Sequence, residues 1–432
     1  MDEMVIHGGR PLSGAVHIHG AKNAALPIMA ASLLTEGPTV LHRVPRLRDV
    51  ETIAGILNSL GVTTRWVGPQ TLRLVPHWSA AYVARFDLVR QMRGSVCVLG
   101  PLLATRGAAV LPQPGGCVLG ERPIDLHLKG LRGLGAVIQA GAPCIYARAD
   151  RLRGARVSLA GPHGSTVTGT ANVLMAATLA EGRTVIEGAA CEPETQDLAA
   201  YLSACGARIG GIGTRTLTVD GVKRLRGVEH SIIPDRIEAG TLAAAAAATG
   251  GEVTLEGVRP DHMEATLEAL ERAGAECRVE GDSITVRRTG PLRPVNLVTA
   301  PYPGFPTDMH PQLSALLCLA RGRSTIRETI YPERFTYAGE LSRMGARIAR
   351  ADATAVVEGP APLHGAAVRA TDLRAGAALV VAALAACGQT ILSGVDQVDR
   401  GHQCLEERLG ALGADICRRQ AEPAERSEKK SA

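Results

Sequence analysis

LNSLGV (57–62), LRGLGA (131–136), LSACGA (202–207), LERAGA (270–275), LSRMGA (341–346) and LGALGA (409–414) are six copies of one pattern: Leu, three variable residues, Gly, then Ala or Val. Their glycines, at 61, 135, 206, 274, 345 and 413, lie 68 to 74 residues apart, too regular for accident and too long for a solenoid repeat. Apolar residues at helical spacing run into each Gly, and a β-like run such as ARIGG (207–211) or AECRV (275–279) follows. The Gly therefore reads as the residue just past a helix, where left-handed backbone is needed. Upstream lies a second glycine with a β-branched run: EGPTVL, RGAAVL, EGRTVI, GGEVTL, RGRSTI and CGQTIL. Each unit is thus expected to run strand, loop, helix, stop, strand.

The two glycines of a unit are 23 to 25 residues apart in five copies and 28 apart in the second. The extra residues sit in LPQPGGCVLGERPIDLH (111–127), and residues inserted into a repeat usually serve function rather than the core, which draws attention to Cys117. Three units fall between about residues 22 and 229 and three after about 230, which predicts two domains with an active-site cleft between them.

Composition agrees with a large α/β protein. The 432 residues are 46% hydrophobic but only 3% aromatic, with 49 glycines, so the core must be built from small and aliphatic side chains. A net charge of +5, spread over scattered arginines, argues against a nucleic-acid surface and suits small anionic ligands. There is no run of about 18 apolar residues, and MDEMVIHGGR has no charged-then-apolar leader pattern, so a cytoplasmic protein without membrane contact is expected. The ten cysteines form no C-x-x-C pair, so disulfides and structural zinc are not expected. The stretch after Cys417 is charged and poor in large apolar residues, and is expected to be a disordered tail.

Six segments carry a resemblance to a known family: GAKNAALPI (20–28), PGGCVLGERPIDLH (114–127), PDRIEAGT (234–241), FPTDM (305–309), ATDLRA (370–375) and DRG (399–401). With them, residues 1 to about 418 resemble the UDP-N-acetylglucosamine 1-carboxyvinyltransferases, relatives of the shikimate-pathway enolpyruvyl transferase. The resemblance implies an inverse α/β barrel of six βαβαββ-type units, three per domain. One domain would be discontinuous, residues 1–21 with 230–418; the other would be 22–229, carrying the Cys117 loop, and 419–432 would be the tail. It further implies transfer of the enolpyruvyl group of phosphoenolpyruvate to the 3′-hydroxyl of UDP-N-acetylglucosamine, the first committed step of peptidoglycan precursor synthesis. No metal or organic cofactor would be needed, and the chain would be a monomer or weak oligomer.

By the same resemblance, Lys22, Arg122, Arg374 and Arg400 converge on phosphoenolpyruvate, and arginine's planar fork suits its oxygens. Asp308 faces the sugar hydroxyl as base or orienting group, and Cys117 serves acid chemistry at the vinyl carbon and is the site alkylated by fosfomycin. The catalytic set is then Cys117, Lys22, Asp308 and Arg400. Asn23, Arg93, Arg122, Pro123, Ile124, Asp125, Leu126, His127, Val167, Thr168, Asp308 and Ile330 hold the sugar nucleotide, with Asp49 and Asp372 in support.

Each residue also has a plainer reading. The cations would ordinarily be solvated surface groups, and only their placement beside Gly, Asp or Asn in short loop signatures favours the site. Asp308 could be a turn or N-cap residue, Asp125 and His127 could simply open a helix, and Cys117 could be a small buried hydrophobe, as most of the other nine cysteines are expected to be. Cys191, Ala171, Tyr331 to Glu333, Tyr337 and Gly339 depart from the family pattern. A divergent relative with another uridine nucleotide acceptor, or a silent sugar-nucleotide-binding regulator, are the competing readings.

Overall fold

Five of the six repeat units contribute to a four-stranded sheet of one strand order. The computed structural model describes residues 2–115, 124–141 and 143–420. The third unit is typical: Arg156–Ser158 runs parallel to Arg183–Glu187, which pairs antiparallel with Thr216–Asp220, which pairs in turn with Arg208–Gly210. The second unit departs from this. Its first strand shrinks to a single bridge between Val83 and Val110, leaving a three-stranded sheet. All six helix-ending glycines take the expected left-handed backbone, with φ between +88° and +106°. Of the upstream glycines, the fourth was misplaced by one residue: Gly250, not Gly251, carries the positive φ there.

Helices lie inside and sheets outside. Arg236–Thr249, His310–Leu317 and Leu373–Ala385 pack against one another, and Lys22–Ala31, Leu99–Arg106 and Val167–Ala177 hold the matching places in the other half. Twelve of the fourteen residues of Arg236–Thr249 are buried, and so is all of His310–Leu317. A helix buried on every face must have small side chains all round, which explains the alanine run 243–248 and the scarcity of aromatics; alanine also costs least on helix formation. The sheets alternate as one-sided sheets do, with Val253 and Leu255 buried while Glu252 and Glu256 face solvent.

The apolar core falls into two clusters. One draws on residues from Ala21 to Ile232, the other on Met4 to Ile18 together with Ile237 to Leu412. The chain crosses between them twice, and the crossings pair: Ala21 N–H donates to Ile233 O (2.7 Å) and Asp235 N–H to His19 O (2.8 Å). Gly20, between them, admits no side chain, since a Cβ there would lie 1.8 Å from Arg43 O.

Three sheets are completed from far along the chain. Asp2–His7 is inserted between Gln389–Ser393 and Asp415–Gln420, Ser13–His17 runs beside Glu252–Glu256, and Glu229–Ser231 beside Thr39–His42. The strand Asp415–Gln420 extends two residues into the stretch expected to be disordered tail. Pairing of Asp2 with Gln420 and of Glu3 with Arg419 holds it there, as does Arg418 between Asp399 and Glu406. Residues 421–432 lie outside the described residues. Of the nine described cysteines four are buried, two half-buried and three exposed, so the expectation that most serve as core residues fails.

The left-handed glycines allow a paired test. Gly413→Ala meets no neighbour within 4 Å and should cost only the backbone strain, roughly 1–2 kcal/mol. Gly345→Ala would also press on His364 Nδ1 at 2.8 Å and Pro362 O at 3.0 Å, so its urea midpoint should fall further. Equal losses would show that these neighbours yield freely.

Candidate active site

The two halves enclose a cavity of about 920 Å³. The inner helices all begin at its wall: Lys22, Arg93 (opening the 3-10 turn Arg93–Val98 that leads into Leu99–Arg106), Val167, Arg236 and Leu373 line it, as does Asp308 just ahead of His310–Leu317. Helix starts present unpaired N–H groups and a partial positive charge, so their convergence makes the space suited to anions before any side chain is counted. Among the described residues, seven cations and eight carboxylates line the cavity. Most of the positive charge is therefore held in place by a carboxylate partner.

Lys22 is the first residue of its helix and is 6% exposed; its Nζ lies 3.0 Å from Asp49 Oδ2, and Arg400 Nε reaches Asp49 Oδ1 at 2.9 Å from the other half. Burial lowers the Lys22 pKa, Asp49 opposes this, and Arg374 and Arg400 add to the lowering. Burial works to raise Asp49, but Lys22 and Arg400 outweigh it and hold the carboxylate below its usual range.

Asp308 is clamped between Arg374, at 2.7 and 3.1 Å, and Arg334, at 2.6 Å. Burial pushes its pKa up, yet Arg334 and Arg374 overcome that and keep it well below the carboxylate norm. Asp308 does lie in a turn, closed by Met309 N–H on Pro306 O (3.0 Å), but its carboxylate is held by the two arginines and caps no helix. Asp372 is a cap: it accepts from the N–H groups of Arg374 (2.8 Å) and Ala375 (3.0 Å) at the start of Leu373–Ala385. The loop placement expected for the cations also needs correction. Among the described residues, Lys22 and Arg374 belong to the first turns of helices, and Arg400 sits in a turn.

Asn23, Arg93, Asp125, Leu126, His127, Val167, Thr168 and Ile330 line the cavity, as do Asp49 and Asp372, but Ile124 does not: it is buried in the apolar cluster. Asp125 and His127 occupy the first turn of Asp125–Gly133. His127 is committed on both ring nitrogens. Nδ1 accepts from the Asn172 amide (3.0 Å), so Nε2–H donates to Thr168 Oγ1 (3.1 Å), and burial with nearby Arg93 pushes its pKa down to about 3. Cys117, Arg122 and Pro123 lie outside the described residues.

Among known proteins, the chain matches the family model described as EPSP synthase (3-phosphoshikimate 1-carboxyvinyltransferase) over residues 6–409. It is 49% identical over 421 residues to the UDP-N-acetylglucosamine 1-carboxyvinyltransferase of Methylacidiphilum infernorum, covering 97% of this chain and 99% of that protein. It is 50% identical over 418 residues to the protein so named from Gluconacetobacter diazotrophicus, covering 96% and 99%.

This chain belongs to the UDP-N-acetylglucosamine 1-carboxyvinyltransferase family.

The solved enolpyruvyl transferase NikO from Streptomyces tendae superposes with a TM-score of 0.88 at 28% identity, over 98% of this chain and 99% of that one. An EPSP synthase from Acinetobacter baumannii shares the fold, with a TM-score of 0.73 at 20% identity over 97% and 100%. The two-domain enolpyruvyl transferase fold implied by the resemblance, and in keeping with the six units, is therefore the fold of this carboxyvinyltransferase family member.

Several cavity residues escaped the sequence reading. Gly161 to Thr166 line it just ahead of Val167, where only the last two residues of that wall had been named. Glu192, Glu194 and Arg236 form another wall, with Arg236 bonded to Glu194 at 3.0 and 3.2 Å. Arg236 stands in the quoted PDRIEAGT, and EPE (192–194) follows the departure at Cys191, so the signal was present but no role was attached to it. The halves also touch at both rims. Arg48 meets Asp396 at 3.4 Å and Arg46 N–H donates to Gln403 at 2.8 Å, while opposite them His163 Nδ1–H donates to Thr329 O at 3.2 Å.

Removing the Asp308 charge leaves Arg334 and Arg374 buried and facing each other. Asp308→Asn should cost about 3–5 kcal/mol of stability at neutral pH. Because the folded pKa lies below the unfolded value near 3.8, the contribution is fully present above that value and is lost as pH falls through the depressed one. Urea midpoints of the two proteins should stay apart from pH 7 down to about 4 and converge below it. A constant gap would show that the Asp308 charge is not the cause.

Proposed function

We propose that this chain transfers the enolpyruvyl group of phosphoenolpyruvate to the 3′-hydroxyl of UDP-N-acetylglucosamine and releases phosphate, as the first committed step of peptidoglycan precursor synthesis in the cytoplasm. The observation that carries this is the meeting, at one cavity, of the buried cations Lys22 and Arg374 and the half-buried Arg400 with the carboxylate Asp308, in a chain close to half identical to named carboxyvinyltransferases over nearly its full length. The two apolar clusters act as the two domains, 22–229 and 1–21 with 230–418, and rock about the paired crossings.

On this reading Lys22 and Arg400, with Arg122 from the Cys117 loop, take the phosphate and carboxylate of phosphoenolpyruvate, using the helix starts around them. Arg374 is shared between that ligand and Asp308. As the ligand draws on its guanidinium, its hold on Asp308 weakens and the carboxylate becomes a better acceptor for the sugar hydroxyl proton. The hydroxyl oxygen adds to C2 while C3 takes a proton, chemistry assigned to Cys117. The resulting tetrahedral species then loses the C3 proton as the bond from C2 to the phosphate oxygen breaks. Asn23, Arg93, Arg122, Pro123, Asp125, Leu126, His127, Val167, Thr168 and Ile330 hold the sugar nucleotide, and Asp49 sets the spacing of Lys22 and Arg400.

The test is phosphate release from phosphoenolpyruvate with and without UDP-N-acetylglucosamine, before and after fosfomycin. Release should require the sugar nucleotide and stop with the drug. Lys22→Met should lower kcat/KM for phosphoenolpyruvate by roughly 10²–10³-fold, the usual loss for a charge aimed at a developing anion. Cys117→Asp should be insensitive to fosfomycin. No release from folded wild-type protein would overturn the assignment.

A further inference from the structure

Glu328 is a carboxylate with 1% exposure and several donors, and it lies behind the cavity wall. Its Oε1 accepts from Ile330 N–H (2.6 Å), Tyr331 N–H (2.8 Å) and Thr299 Oγ1 (2.9 Å), and its Oε2 accepts from Thr307 Oγ1 (2.8 Å). His310 Nε2 lies 3.3 Å from the same Oε2, but too bent for a hydrogen bond. Three of these partners, Thr307 on one loop and Ile330 and Tyr331 on another, line the cavity.

The Thr307 hydroxyl has one proton. Since it is given to Glu328, the oxygen's lone pairs face away and accept from Arg334 Nη1 at 3.0 Å, and that nitrogen also meets Asp308 at 2.6 Å. A directed series therefore runs Glu328, Thr307, Arg334, Asp308. A carboxylate at 328 fixes its direction, because an amide nitrogen facing Thr307 would reverse the hydroxyl and set its proton against Arg334.

We propose that Glu328 is a positioning residue for the transfer reaction: through Thr307 it sets the angle at which Arg334 holds Asp308, and through two backbone bonds it fixes the Ile330 loop against the sugar nucleotide. This rests on the function proposed above. Among the described residues, the titratable and charged groups facing Asp308 besides Arg334 are Arg374, bonded to it, and Arg236 and His310, which feel its charge; burial holds the His310 pKa well below the imidazole norm.

The experiment compares wild type, Thr307→Val, Thr307→Ser and Glu328→Gln in phosphate release across pH, with thermal unfolding to establish that each is folded. Thr307→Val and Glu328→Gln should lower kcat by about tenfold or more and move the acid limb of the kcat profile to higher pH, because a loosened Arg334 depresses Asp308 less. Thr307→Ser, which keeps the hydroxyl, should restore both. Glu328→Gln should also raise KM for the sugar nucleotide, leaving KM for phosphoenolpyruvate within about twofold. The inference is overturned if Thr307→Val matches wild type, or if activity falls with an unmoved acid limb and no rescue by serine. A wild type without turnover would instead sink the function itself.

Discussion

A helix buried on every side can offer chemistry only at its ends. With the sheets outside and the helices inside, the side chains of the inner helices are consumed by packing, and what remains for function is the row of helix starts at the boundary between the halves. Those starts bring their own positive potential. They also fix which sequence positions can matter: Lys22, Val167, Arg236 and Arg374 all lie within the first two residues of a helix.

The cations gathered there would repel one another in a dry wall, and the acids interleaved with them resolve this. Asp49 stands between Lys22 and Arg400, Asp308 between Arg334 and Arg374, and Glu194 holds Arg236. The pairs hold each cation at a set distance without spending its charge wholly inside the protein, so an incoming anion finds the geometry already built. Because Arg400 reaches Asp49 from the opposite half, this arrangement also records how closely the halves approach.

Much of this was legible from residues whose backbone or chemistry is restrictive. A glycine obliged to be left-handed marks each helix end regardless of sequence drift around it, so six copies could be counted and the architecture inferred. The resemblance of short motifs to a known family pointed to Lys22, Asp308, Arg374 and Arg400, and all four stand at the cavity. What stayed hidden depends on partners distant in the chain. The clamp of Arg334 on Asp308, the pairing of Arg236 with Glu194 and the network at Glu328 join segments that no local pattern relates. Asp372, two residues before Arg374, lines the cavity and also caps the helix that positions that arginine, a role no local pattern announced. Ile124, inside a recognised segment, turned inward to the core because its neighbours open a helix there.

The strand Asp2–His7 finds its place between two strands nearly 400 residues later in the chain, Gln389–Ser393 and Asp415–Gln420. On the ribosome the two halves therefore cannot mature alike. The inner segment has all its strands once Glu229–Ser231 has emerged. The other half must keep the strand Asp2–His7, with the apolar Met4 and Ile6, unpartnered until Gln389–Ser393 and Asp415–Gln420 have emerged. The order of translation thus becomes an order of assembly. During that interval Asp2–His7 is a free strand that must avoid pairing with the wrong edge.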